Sequence, residues 1–223
     1  MKNNLFKKDL YRVYGEQGES LKKRLLRPNE LTYIYIYRCC QTVTNPILKI
    51  YYKFRLRRLS QKTNIQIPYS TQIGEGFYIG HSGRIIINSR AVLGKNINIS
   101  TGVTIGQENR GKRKGCPKIG DKVWIGTNAV IVGNITIGND VLIAPLAYVN
   151  FDVPDHSIVI GNPAKIIRRE NALRDTLIVR FDAFCYIETD IAQTMCSVAC
   201  YYVVKIGNNS DTKKTAEMAV FCV

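Results

Sequence analysis

The chain has 223 residues and a formal net charge of +15, enough for one domain with flanking elements. No stretch approaches the roughly 18–20 apolar residues of a membrane-spanning helix, and Leu31–Tyr37 is far shorter. The opening Met-Lys-Asn-Asn-Leu-Phe-Lys-Lys-Asp lacks the apolar core of a secretion signal. Seven irregularly spaced cysteines and two histidines argue against a disulfide framework or a zinc site, and suit free thiols in a cytoplasmic protein.

Residues 1–62 read as a basic helical arm, with 15 Lys and Arg against 4 Asp and Glu. The expected helices are Asp9–Tyr14, Ser20–Arg27 ending at Pro28, Glu30–Cys40 and Pro46–Leu59, the last opened by a proline at its first position. In that helix Ile47, Ile50, Tyr51 and Phe54 share one face, with Lys49, Lys53, Arg57 and Arg58 largely elsewhere. Such an arm is either a solvated helical surface or a contact for a polyanion, anionic lipid at the inner membrane face included. No RRM, KH or zinc-finger pattern supports nucleic-acid binding.

Residues 63–169 carry a six-residue beat. It runs through Ile67, Ile73, Ile79 and Ile85, slips by two residues, and resumes at Ile87, Leu93, Ile99 and Ile105. After the polar stretch 106–118 it restarts at Ile119 and continues through Ile125, Ile131, Ile137, Ile143 and Val149. A second apolar series, Val123, Ala129, Ile135, Val141, Ala147 and Val153, keeps the same period, and Gly120, Gly126 and Gly138 follow members of the first. Neither a helix nor an alternating strand repeats every six residues. The period fits a parallel β-helix that turns a corner after each short strand. Insertions into a stacked coil must bulge outward, so chemistry is expected at the slip, beside His81, or in the basic loop at 106–118. Trp124 follows an inward valine and is expected on an outer face or subunit seam. Residues 170–223 show no beat; Leu177–Val179 and Tyr201–Ile206 are strand candidates.

The ordered set Ile79-Gly80-His81-Ser82-Gly83-Arg84, Gly102-Val103-Thr104-Ile105-Gly106, Pro117-Lys118-Ile119-Gly120 and Ile160-Gly161-Asn162-Pro163-Ala164-Lys165 resembles the left-handed β-helix acyltransferases. The likeness is strongest to the serine acetyltransferase branch and to surface-polysaccharide O-acetyltransferases. It implies a mainly β fold, a left-handed parallel β-helix of hexapeptide repeats behind a short α-helical N-terminal region, and assembly as a homotrimer. It also implies acetyl-CoA as co-substrate without a metal, His81 as general base, and a coenzyme groove lined by Gly106, Thr127, Ala129 and Ala144. Lys165, with Arg168 or Arg169, would meet the nucleotide phosphates. His156 matches a loop position of structural use.

The departures bear on the acceptor. Gly80 stands where the serine enzymes place a carboxylate before the histidine, Gln66 where a second carboxylate orients the imidazole, and Gly115-Cys116 where an Arg-His pair holds the amino acid. Arg113 and Lys114 are near but in another register. These losses favour a neutral hydroxyl, on a sugar of a surface polysaccharide or its precursor; serine, and a non-catalytic scaffold, are the alternatives. In place of the missing carboxylate, a backbone carbonyl, Gln66 or Glu75 would orient His81.

Overall fold

The computed structural model describes residues 4–15, 28–169, 172–173, 202–203 and 220–221. The chain divides into two units, Met1–Ala172 and Leu173–Val223. In the second, β16 (Tyr202–Val203) and β17 (Val220–Phe221) pair antiparallel. The expected helix at Ser20–Arg27 and strand at Leu177–Val179 lie outside the described residues.

The first unit is a left-handed β-helix of about five turns. One face holds β1 (Ile65–Gln66), β4 (Ile85–Ile87), β7 (Thr104–Gly106), β10 (Val130–Val132) and β13 (Tyr148–Val149). A second holds β2 (Gln72–Ile73), β5 (Val92–Leu93), β8 (Lys118–Ile119) and β11 (Thr136–Ile137). The third holds β3 (Tyr78–Ile79), β6 (Asn98–Ile99), β9 (Val123–Ile125), β12 (Val141–Ile143), β14 (Ser157–Ile160) and β15 (Lys165–Arg168). All pair in parallel except β15, which folds back antiparallel on β14. Every residue of both six-residue series is buried, so the beat marks the side chains that fill the interior. Trp124 stands between the inward Val123 and Ile125, on the outer side of β9, and is itself buried.

Close stacking needs small corners. A Cβ on Gly120 would lie 2.8 Å from the Gly138 carbonyl of the next coil, a separation no packed Cβ tolerates. At the same corner Lys122, Asp140 and His156 take positive φ. Their N–H groups donate to the carbonyls of Lys95, Asp121 and Asn139 one coil before. The His156 ring nitrogen Nδ1 lies 2.8 Å from Asp140 Oδ2, which ties this histidine into the corner.

Among the described residues, three helices precede the coil: α1 (Asn4–Tyr14), α2 (Asn29–Thr42) and α3 (Pro46–Thr63). The first coil has no coil beneath it to hydrogen-bond its carbonyls, and α2 supplies the donors. The Tyr33 hydroxyl donates to the Ile67 carbonyl at 3.2 Å, Tyr37 to Thr71 at 2.5 Å, and Arg38 Nη1 to Ile73 at 2.7 Å. Arg38 also donates to the Gly74 carbonyl and pairs with Asp9 of α1 at 2.8 Å, both side chains being 0% exposed. Burial pushes the Asp9 carboxyl above its usual range, against the pull of Arg38 and of the Phe77 and Gly76 N–H groups. The segment expected as a basic arm is thus, in α1 and α2, continuous with the coil's apolar interior.

α3 starts where expected: Asn45 Oδ1 accepts from the Ile47 and Leu48 N–H groups, and Pro46 follows it. It runs four residues beyond Leu59, because Thr63 bonds back to the Leu59 carbonyl and Asn64 closes the helix in the left-handed conformation. Among the described residues no helix is long and apolar enough to cross a membrane.

Candidate active site

The strand registers locate the insertions. Successive coils are offset by eighteen residues, as from Ile86 to Thr104, but by twenty from Ile65 to Ile85. The two extra residues form the corner after β3, where His81 is exposed. Between Val92 and Lys118 the offset is twenty-six, and the extra residues form the loop after Gly106.

The His81 corner is held on both sides. Gly80 N–H donates to Ile99 O at 3.1 Å, Gly83 N–H to Thr63 O at 3.0 Å, and Ile85 N–H to Asn64 O at 3.2 Å. Gly83 has φ +151°, and a Cβ there would collide with the Thr101 hydroxyl. Glu30, in the first turn of α2, accepts from the Ser82 N–H at 2.6 Å and from its hydroxyl. A carboxylate therefore fixes the residue next to His81. Sequence reasoning missed it because Glu30 lies far upstream on a helix; its place in a first helical turn marked only a helix start.

The same edge of the coil continues upward. Thr101 O accepts from Asn128 N–H, Thr127 O from Leu146 N–H, and Gly126 N–H donates to Ile143 O. His81, Thr127 and Ala144 thus share one edge, which ends at the turn after β14. That turn carries the Asn162–Pro163 cis peptide and leads to the exposed Lys165 and Arg168 on β15. Gly106 sits across the first face, at the start of the loop. The Ala129 methyl is fully buried among the inward residues, so toward a groove it offers backbone. It belongs to the inward series, and stacking decides its direction.

The loop is a small hairpin in which Glu108 and Gly115 exchange both backbone hydrogen bonds at 3.0 Å. Arg113 lies 3.7 Å from Glu108, and its carbonyl accepts from Asn134 N–H at 2.8 Å. Cys116 Sγ donates to Asn88 Oδ1 at 3.4 Å, and Asn88 Nδ2 to Gln107 Oε1 at 3.4 Å.

Gln66 points outward from β1 into a cleft of about 580 Å³, with Lys53, Arg57 and Ser60 of α3 on one side and Asn88 on the other. The fold therefore joins Gln66, through Asn88, to Cys116. It does not bring Glu75 there: Glu75 is held by Lys8 at 2.6 Å and Lys95 at 3.5 Å, at the second-to-third-face corner. Among the described residues no three His, Cys, Asp or Glu side chains gather as a metal-sized cluster.

A left-handed hexapeptide coil with an exposed histidine at an inserted corner and a hairpin loop across the adjoining face defines a hexapeptide-repeat transferase. Residues 116–150 match the family described as bacterial transferase hexapeptide (six repeats). The chain is 33% identical over 135 residues to a serine acetyltransferase of Helicobacter pylori, which covers 59% of this chain and 79% of that protein. It is 37% identical over 126 residues to serine acetyltransferase 2 of Arabidopsis thaliana, covering 56% of this chain but 39% of the plant protein. The crystal structure of the Brucella abortus serine acetyltransferase in complex with coenzyme A matches at a TM-score of 0.62 and 27% identity, over 74% of this chain and 67% of that one. The chain belongs to the serine acetyltransferase family. It spans well under half the length of the plant relatives.

Proposed function

We propose that the protein transfers an acetyl group from acetyl-CoA to a hydroxyl, with His81 as general base. The observation that carries this is the exposed His81 at the inserted corner, on the same edge as Thr127 and Ala144, in a chain whose relatives are serine acetyltransferases. A hydroxyl attacks a thioester only as its proton leaves, and a neutral imidazole near pH 7 accepts it. Attack on the thioester carbonyl gives a tetrahedral oxyanion, which N–H donors stabilise. Collapse expels the coenzyme thiolate, and the His81 imidazolium returns the proton to it. The Glu30–Ser82 clamp positions the corner for both transfers.

The edge from Lys165 to His81 suits an extended coenzyme, with Lys165 and Arg168 toward its phosphates and Gly106 contributed across a subunit boundary in a homotrimer. The free thiols Cys39, Cys40 and Cys116 support a reducing, cytoplasmic setting.

The relatives favour L-serine as acceptor. A second reading, a sugar hydroxyl of a surface polysaccharide or its precursor, is favoured by Gly80, Gln66 and Cys116, neutral residues at positions where the serine enzymes carry charged or imidazole side chains. Thiol release from acetyl-CoA, with L-serine in one reaction and sugars or nucleotide sugars in others, tests both. Turnover with either acceptor, reduced about 10²–10⁴-fold in His81→Ala, establishes the transfer and names the acceptor. No turnover with any hydroxyl, or full turnover in the variant, rejects the mechanism.

A further inference from the structure

α3 is inside out for a helix packed on a domain. Its inward side presents Lys49, Tyr52, Lys53, Leu56, Leu59 and Ser60, with Leu56 buried and the others half-buried. Its outward side presents Ile47, Ile50 and Phe54 at 76%, 69% and 57% exposure, with Tyr51 and Leu48 also exposed. Ile47, Ile50, Tyr51 and Phe54 fall at i, i+3, i+4 and i+7, a continuous apolar stripe, and contiguous exposed apolar surface of this kind marks a contact. The helix also holds Lys49, Lys53, Arg55, Arg57, Arg58 and Lys62, and neither Asp nor Glu. The Arg55 guanidinium lies over the Tyr51 ring at 5.9 Å and that of Arg58 over Phe54 at 5.1 Å, so the cations border the stripe.

We propose that this outward face docks on an anionic lipid bilayer, the helix lying in the interface plane with Ile47, Ile50, Tyr51 and Phe54 inserted among the headgroups. An apolar stripe flanked by cations is the pattern of an interfacial helix, and each cation near an anionic surface strengthens binding roughly fivefold. Charge decides against the same face of a second copy, which would set Arg55 and Arg58 against their own counterparts with no Asp or Glu on the helix to pair them. The stripe itself decides against nucleic acid, whose phosphates call for cations rather than for isoleucine and phenylalanine. The inward side of the same helix lines the cleft that holds Gln66, so docking sets that cleft beside the headgroups. Vesicle binding and thiol release are read separately, so the failure of either proposal leaves the other standing.

The full-length protein is mixed with vesicles of equimolar phosphatidylglycerol and phosphatidylcholine, or of phosphatidylcholine alone, and sedimented. The expected result is at least ~tenfold stronger partition onto the anionic vesicles, weakening as salt screens the surface. Ile50→Gln/Phe54→Gln and Arg55→Gln/Arg58→Gln should each lose it, with unchanged thermal unfolding. No partition of the wild type overturns the proposal. Partition lost in the cation variant but intact in the stripe variant assigns a polyanion surface instead. A fall in molecular mass for the stripe variant, read by light scattering, makes the face a contact between copies. Either of these also overturns it.

Discussion

In the coil, residues that recur every six positions all point inward and are buried; in α3, the apolar residues that recur at helical spacing point outward. The coil's rule is collective. Each strand is flanked by strands of neighbouring coils, so a corner that turns wrongly would break the hydrogen bonds of two neighbours. A helix has no such constraint, since its backbone bonds are internal and its direction is set by whatever it packs against. α3 packs through Leu56, Leu59 and Tyr52 while its larger apolar stripe is left out. Periodicity therefore reports direction in a stacked repeat, and only a contact of some kind in a lone helix.

The sharpest way to break this comparison lies in α2. Arg38→Ala leaves Asp9 buried without its partner and the Ile73 and Gly74 carbonyls without donors, and should cost about 3–5 kcal/mol, seen as a lower urea midpoint. Ile131→Ala, in mid-coil and fully buried, should cost about 2–5 kcal/mol, whereas Ile50→Gln on the outward stripe should stay within about 0.5 kcal/mol. A loss at Ile50 as large as that at Ile131 would mean the stripe is packed in solution. The smallest effect is chemical. Burial pushes the Cys40 thiol up to about 11, so at pH 7.5 maleimide should label the half-buried Cys116 well before Cys40, as read by peptide mass. Equal labelling would show α2 opening as readily as the loop.

The coil was legible because its evidence is repetitive and local: the beat, the slip at His81 and the break at 106–118 are all found by counting along the chain. The site's other half was not legible. Glu30 reaches Ser82 from another element, and Asn88 meets Cys116 only because the coil returns to the same corner one turn later. The cleft around Gln66 exists because α3 lies over the first face, and no spacing announces that. Ala129 was legible as an inward residue, and the packing of the coil buries its methyl.

Tyr33, Tyr37, Arg38 and Gln41 of α2 bond to the bottom coil where a further coil would otherwise bond. A β-helix with a bare end is a self-templating object, since its last strands are an open edge for the first strands of another molecule. α2 acts as a stopper: its side chains use up the acceptors and its bulk bars approach along the coil axis. Loss of this one helix would leave those carbonyls as an open edge, free to accept from a strand of another molecule.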